Sequence, residues 1–195
     1  AAPKIAPATI AEVNGESVAI VGATTQLLSQ ISSPGATVSN AGGTNDMQAL
    51  ADVLNPIIAD IADGDDDIAG NADDVNKVIL VSHLQQISLE EELAGLLNGV
   101  DIIVAGGSDT LLADAQDTLR AGDVAEGTYP LQTTNADNDP TLIVSTDGEY
   151  SYVGRLVVDF DASGVVIPSM LDASVSGVFS ADEAGTLAVT GAADI

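Results

Sequence analysis

Residues 77–109 read KVILVSHLQQISLEEELAGLLNGVDIIVAGGSD, and this stretch decides the fold class. Lys77-Val-Ile-Leu-Val81 is a short β-branched apolar run, which predicts a buried strand with Ser82 and His83 at its C-terminal end. Ser88-Leu-Glu-Glu91 has the spacing of a capping box and predicts a helix start. The helix it opens places Leu89, Leu93, Leu96 and Leu97 on one stripe and stops at Asn98-Gly99. Asp101-Ile-Ile-Val104 then predicts a second strand, running into Ala105-Gly-Gly-Ser-Asp109. A strand–helix–strand unit of this length implies a right-handed parallel crossover, and so an α/β fold.

Upstream, Ser17-Val-Ala-Ile-Val21 closed by Gly22 predicts another buried strand, and the Thr-, Ser- and Gly-rich residues 23–45 predict a loop. Asn45 is a candidate cap for a helix carrying Met47, Leu50, Leu54, Ile57 and Ile61 at helical spacing. Pro56 either kinks that helix or opens a second one with Asn55 as its cap. Downstream, Thr141–Ser145 and Tyr152–Asp159 predict antiparallel strands around an Asp147-Gly148 turn. Asn135–Asp139 and Asp161–Gly164 predict turns, the latter leading into a strand at Val165-Val-Ile167. The expected organisation is an α/β domain over residues 1–167 and a linker or partner-binding tail over 168–195. No repeat of 20–50 residues is evident.

The 195 residues carry 30 Asp and Glu against 4 Lys and Arg, a formal charge of −26. Lys4, Lys77, Arg120 and Arg155 are too few and too scattered to neutralise phosphates, so nucleic-acid binding and polybasic membrane attachment are both excluded. Hydrophobic residues at 46% exclude a disordered acidic tail. Membrane insertion is not expected, because no apolar run approaches the ~20 residues that cross a bilayer. With no cysteine, disulfides, thiolate metal sites and cysteine nucleophiles are all out. The acidic surface stays hydrated at high ionic strength, where salt screens its self-repulsion. It predicts a secreted protein, extracellular or periplasmic, of a salt-exposed microbe. Ala1-Ala-Pro3 shows neither a charged nor an apolar leader segment.

The sole histidine, His83, stands at a strand's carboxyl end, where α/β sheets assemble their sites. Ser108 and Asp109 end the next strand in sequence, so a metal site or an acid–base pair is one reading. The other is a hydrogen-bonded loop histidine beside a tight Gly106-Gly107 turn. Ser108 lacks the Gly-x-Ser-x-Gly elbow of a nucleophile, and no catalytic residue is assigned. Asp63, Asp65, Asp67 and Asp74 fall at positions 1, 3, 5 and 12 of a calcium-loop count. Position 6 is Ile68 rather than Gly, however, and position 12 is not Glu. A solvated acidic loop is the stronger reading there, and a weak calcium site the weaker.

The stretches Val78-Ile-Leu-Val-Ser-His-Leu84 and Gly99-Val-Asp-Ile-Ile-Val-Ala-Gly-Gly-Ser-Asp-Thr110 resemble the bacterial 5′-nucleotidase-like metallophosphoesterases. So do Tyr129-Pro130, the run from Val144 to Phe160, and Ser176–Asp182; together they span roughly residues 13–185 in the family's order. The resemblance implies part of a metallophosphoesterase-type α/β sandwich, with a parallel unit followed by antiparallel strands. It also implies two divalent metal ions that activate water against a phosphate ester. His83 matches the family's lone histidine. Gly106-Gly107-Ser108-Asp109 aligns with its Gly-His-x-His block, with Gly107 and Asp109 in place of the two histidines. Asp109 offers oxygen to a hard cation, whereas Gly107 offers nothing.

The family's Asp-x-His and Asn-His-Glu blocks have no counterpart, because His83 is the only histidine. The chain looks like the later part of such a domain and cannot assemble a dinuclear site by itself. Two functions are therefore expected to compete: a phosphoesterase fragment or subunit active only with the missing blocks, and a non-catalytic extracellular assembly protein reusing the fold, with calcium as a candidate stabiliser. A partial sheet leaves an edge uncovered, which predicts self-association or a second chain completing the domain.

Overall fold

The structure is a computed structural model that describes residues 6–39, 42–64 and 74–190. A six-stranded mixed sheet is its frame. In chain order its strands are β1 (Ala8–Val13), β2 (Glu16–Thr24), β3 (Val78–His83), β4 (Ile102–Val104), β5 (Leu131–Thr134) and β6 (Pro140–Val144). They lie side by side as β1-β2-β3-β4-β6-β5. The inner pairs β2–β3, β3–β4 and β4–β6 are parallel, and both outer pairs are antiparallel.

The predicted crossover is present. Helix α3 (Ile87–Ala94) links parallel β3 and β4 and buries Leu89, Leu93 and Ala94. It begins one residue before Ser88, however. The Leu89 N–H donates to the Gln86 carbonyl, and Gln86 holds the extended conformation before the helix. Ser88 is thus already inside the helix and does not form the expected capping box.

Helix α2 (Met47–Ala62) packs Met47, Leu50, Ala51, Leu54 and Ile58 on the same sheet face. Each such Leu or Met buried contributes about 1.5–3 kcal/mol. Asp46 caps α2 in place of Asn45: its Oδ1 accepts from the Ala49 N–H at 3.0 Å. The helix runs unbroken through Pro56, which lies on its exposed side, where water can serve the carbonyl left without a helical donor. Asn55 is a clamp instead of a cap. Its Nδ2 donates to the Leu96 carbonyl and its Oδ1 accepts from the Asn98 N–H, both at 3.0 Å, tying α2 to the end of α3.

Several elements depart from expectation. No apolar run before Ser17 predicts a strand, yet β1 pairs with β2 through an Asn14-Gly15 turn in which both residues have left-handed backbone. A short helix, α1 (Leu28–Ile31), lies in the predicted loop. The Asp147-Gly148 hairpin does not form. Asp147, Glu149 and Tyr150 all take positive φ and lead the chain out of the sheet, so β7 (Tyr152–Arg155) pairs with β8 (Gly177–Ser180) in a separate two-stranded sheet. Strand β6 pairs with β5 across Asn135–Asp139, where Asn135 Oδ1 accepts from the Asp137 and Asp139 N–H groups. The Asp161–Gly164 turn is present, whereas Val165–Ile167 makes only an isolated bridge, Phe160 to Val166. Past Pro168 the chain supplies β8 and α4 (Glu183–Thr190), so part of the expected tail pairs with this chain's own β7.

Two hydrophobic clusters result. The larger lies between the sheet and α2 and α3. The smaller, built on Leu111, Leu112, Tyr129, Val144, Tyr152 and Val178, joins β6 to the second sheet. On the six-stranded sheet's other face Ile20 and Ile79 are half-buried, while Val81 and Val104 remain 45% and 40% exposed.

Candidate functional site

The parallel register sets the site. Val81 stands beside Val104 and Val104 beside Val144, so β4 and β6 end at one level while β3 runs two residues further to His83, and the loops leaving them meet. The Ala105 N–H donates to the Val144 carbonyl at 2.9 Å and carries the pairing one residue past β4. Gly106 and Gly107 then turn back over the end of β3.

His83 is exposed and lies against that turn. A Cβ at Gly106 would fall 2.9 Å from the Ser82 carbonyl oxygen and 3.3 Å from His83 Nδ1. At Gly107 it would fall 2.7 Å from His83 Nε2, 2.8 Å from Cδ2 and 2.5 Å from Gln85 Nε2. Real Cβ atoms do not approach heavy atoms so closely, and Gly107 also has φ +82, which L side chains rarely adopt. The glycine pair and the imidazole are therefore fitted to each other.

Asp109, two residues on, is directed to the neighbouring loop. Its Oδ1 lies 2.6 Å from where a Cβ on Gly148 would stand, and its own φ is +53. Asp109 and Asp147 rim a cavity of about 390 Å³ whose walls include Val104, Val144, Leu156 and Tyr129. Among the described residues no Lys or Arg lines it. Burial, with the Asp117 carboxylate adding to it, pushes the Tyr129 phenol up to about 12, so it is a neutral hydroxyl at working pH.

Beneath His83 lies a group that the sequence reading passed over. Glu90 is fully buried; its Oε1 accepts from Ser82 Oγ at 2.9 Å, and among the described residues its Oε2 meets no hydrogen-bond partner. Burial raises its carboxyl above the usual range. The signal was present: of Glu90, Glu91 and Glu92, only Glu90 stands three and four residues before Leu93 and Ala94, on the buried stripe.

The strand ends thus bring His83 onto the Gly106–Gly107 turn and place Asp109 on the same loop, facing Gly148. They bring no third donor. Among the described residues no group of three His, Cys, Asp or Glu side chains is placed to hold a metal ion. Gly107 has no donor atom, and a side chain there would collide with the ring. A two-metal centre does not fit this donor set. Of the weak calcium candidates, Asp65 and Asp67 lie outside the described residues, and Asp63 is the residue that ends α2, its N–H bonded to the Ala59 carbonyl.

No family model matches the chain. The 5′-nucleotidase of Mus musculus is 29% identical to it over 163 residues, 84% of this chain and 25% of its own length. The snake venom 5′-nucleotidase of Crotalus adamanteus is 28% identical over 165 residues, again 25% of its own length. Among solved structures, a 5′-nucleotidase precursor from Thermus thermophilus superposes with a TM-score of 0.64 at 30% identity, covering 83% of this chain and 28% of that one. An NAD nucleotidase of Haemophilus influenzae shares the fold, with a TM-score of 0.60 at 24% identity. The chain spans about a quarter of the length of the curated relatives it matches. The resemblance read from the sequence holds: over most of its length this chain is a partial counterpart of the 5′-nucleotidases, with their mixed α/β sheet.

Proposed function

We propose, from this kinship with the 5′-nucleotidases, that the chain is a phosphoesterase-derived module that hydrolyses no phosphate ester by itself and contributes to hydrolysis only where the missing ligand blocks are supplied. One observation carries the reading: the donor set is His83 and Asp109, with glycine at position 107 where the family's block has a histidine. The cavity rim points the same way. Asp109 and Asp147 face it with no cation lining it among the described residues, so a phosphate anion entering it would meet repulsion.

The uncovered valines of the sheet suit a second layer, from a longer polypeptide, another chain or a second copy, and support association in place of an isolated monomer. The same face favours the runner-up, an assembly protein without catalysis. We also propose a location outside the cell, where the acidic surface meets salt directly.

The test is phosphate release from a 5′-mononucleotide with Mg²⁺, Mn²⁺, Co²⁺ or Zn²⁺. It is run on the 195-residue chain and on any larger native product bearing Asp-x-His and Asn-His-Glu, identified by intact mass. The chain alone should release nothing, and the larger product should be active. Metal-dependent release by the chain alone, lost in His83→Ala, overturns the reading. If native material contains only chains without those blocks, the assembly function takes its place.

A further inference from the structure

We infer that in this chain the His83 imidazole is a positioning group, the plug of the Gly106–Gly107 turn, and not a metal ligand. The inference rests on the reading that the chain holds no metal centre of its own, and it says what its one histidine does instead.

The ring occupies the volume that a side chain at position 107 would need. Nε2 and Cδ2 lie 2.7 and 2.8 Å from that Cβ position, and Nδ1 lies 3.3 Å from the one at Gly106. The ring thus lies beside both glycines. Gln85, at a left-handed φ of +80, brings its amide nitrogen within 2.5 Å of the same point. From below, Ser82 is fixed by Glu90, and its carbonyl is the atom against which Gly106 is packed. A side chain at 107 would have to displace the ring from where it now stands. What the plug holds in place is the 106–109 turn, with Asp109 on the cavity rim.

Because the chain has one histidine, its ring gives a single set of ¹H–¹³C and ¹H–¹⁵N resonances that report on His83 alone. These are followed while Zn²⁺ is added to the wild-type protein, up to a tenfold excess. The expected result is no saturable shift of the ring resonances. Gly107→Ala should move them, since the new Cβ displaces the ring, and should lower Tm. His83→Phe, which refills the seat with a ring, should retain more of the wild-type Tm than His83→Ala.

A saturable Zn²⁺ shift that Asp109→Asn abolishes would overturn the inference. So would a folded Gly107→Ala variant with the ring resonances unmoved, or His83→Phe no more stable than His83→Ala. Phosphate release measured on the same samples keeps the two readings apart. Release without a Zn²⁺ shift at His83 sinks the proposed function and leaves the plug standing. A Zn²⁺ shift without release does the reverse.

Discussion

The Asp101 carboxylate accepts a hydrogen bond from the Val78 backbone N–H at 2.8 Å, joining the start of β4 to the start of β3. The Asp101 backbone extends the link: its N–H donates to the Val78 carbonyl, and its carbonyl accepts from the Leu142 N–H. One acidic residue, 5% exposed, thus binds three parallel strands where the sheet begins.

That position makes stability depend on pH. Burial, chiefly, raises the Asp101 carboxyl to about 7, the Val78 N–H opposing it and the Asp139 and Asp161 charges adding to it. The folded state then holds a proton that the unfolded chain gives up near the ordinary Asp range. Stability should fall as pH rises from about 4 to about 7, by up to about 4 kcal/mol. Glu90, raised by burial, acts with the same sign. Urea unfolding in 1 M NaCl, where bulk charge repulsion is screened, should show the slope, and Asp101→Asn should remove most of it. A slope unchanged in Asp101→Asn would assign the effect elsewhere.

Asn55 should be worth more than its half-exposed position suggests. Asn55→Ala leaves the Leu96 carbonyl and the Asn98 N–H without their partner and should cost about 1–3 kcal/mol. Asn55→Asp keeps the acceptor for Asn98 but turns a carboxylate oxygen on the Leu96 carbonyl, in an already strongly acidic chain, and should cost at least as much. Chemical denaturation of both variants checks the order.

Tyr152 holds the second sheet to the 114–125 loop. Its hydroxyl donates to Asp123 Oδ2 at 2.6 Å and accepts from the Arg120 N–H at 2.8 Å. Tyr152→Phe keeps the buried ring and loses both bonds, at a cost of about 1–2 kcal/mol. Hydrogen exchange should rise first at Arg120 and along β7 and β8, with β2 and β3 unaffected. Equal loosening of β2 and β3 would mean the two sheets unfold as one unit.

Salt should stabilise the chain. At a formal charge of −26 the folded state repels itself, and raising NaCl from 0.1 M to 1 M shortens the screening length from about 10 Å to about 3 Å. Tm should climb across that range. The one ion pair seen among the described residues, Lys77 Nζ to Glu16 Oε2 at 2.9 Å, is too exposed on its Glu side to offset this when screened. A falling Tm would point to attraction outweighing repulsion.

Much of the fold was legible because local pattern encodes local burial. Val78–His83 and Ile102–Val104 are strands because their apolar runs must be covered, and the Leu89–Leu93 stripe covers them. His83 and the 106–109 turn could be placed at one end of the sheet for the same reason. Pairing partners were not legible. Asp147-Gly148 carries a hairpin signal, yet a turn dipeptide says nothing of what its flanks bond to, and Tyr152 goes instead to Ser180. Strand β1 was missed because an edge strand has little apolar surface to betray it: Thr9, Ile10, Glu12 and Val13 are all exposed.

By itself the sequence determined the acidic solvated surface, the parallel α/β core, the single histidine and the absence of the ligand blocks around it. Only the tertiary structure decided where β6 and β7 pair, that Glu90 is buried beneath Ser82, and that the His83 ring fills the room of a side chain at 107. The first set follows from composition and period, which are properties of neighbouring residues. The second depends on atoms brought together from segments distant in the chain, whose positions no local preference contains and close packing alone fixes.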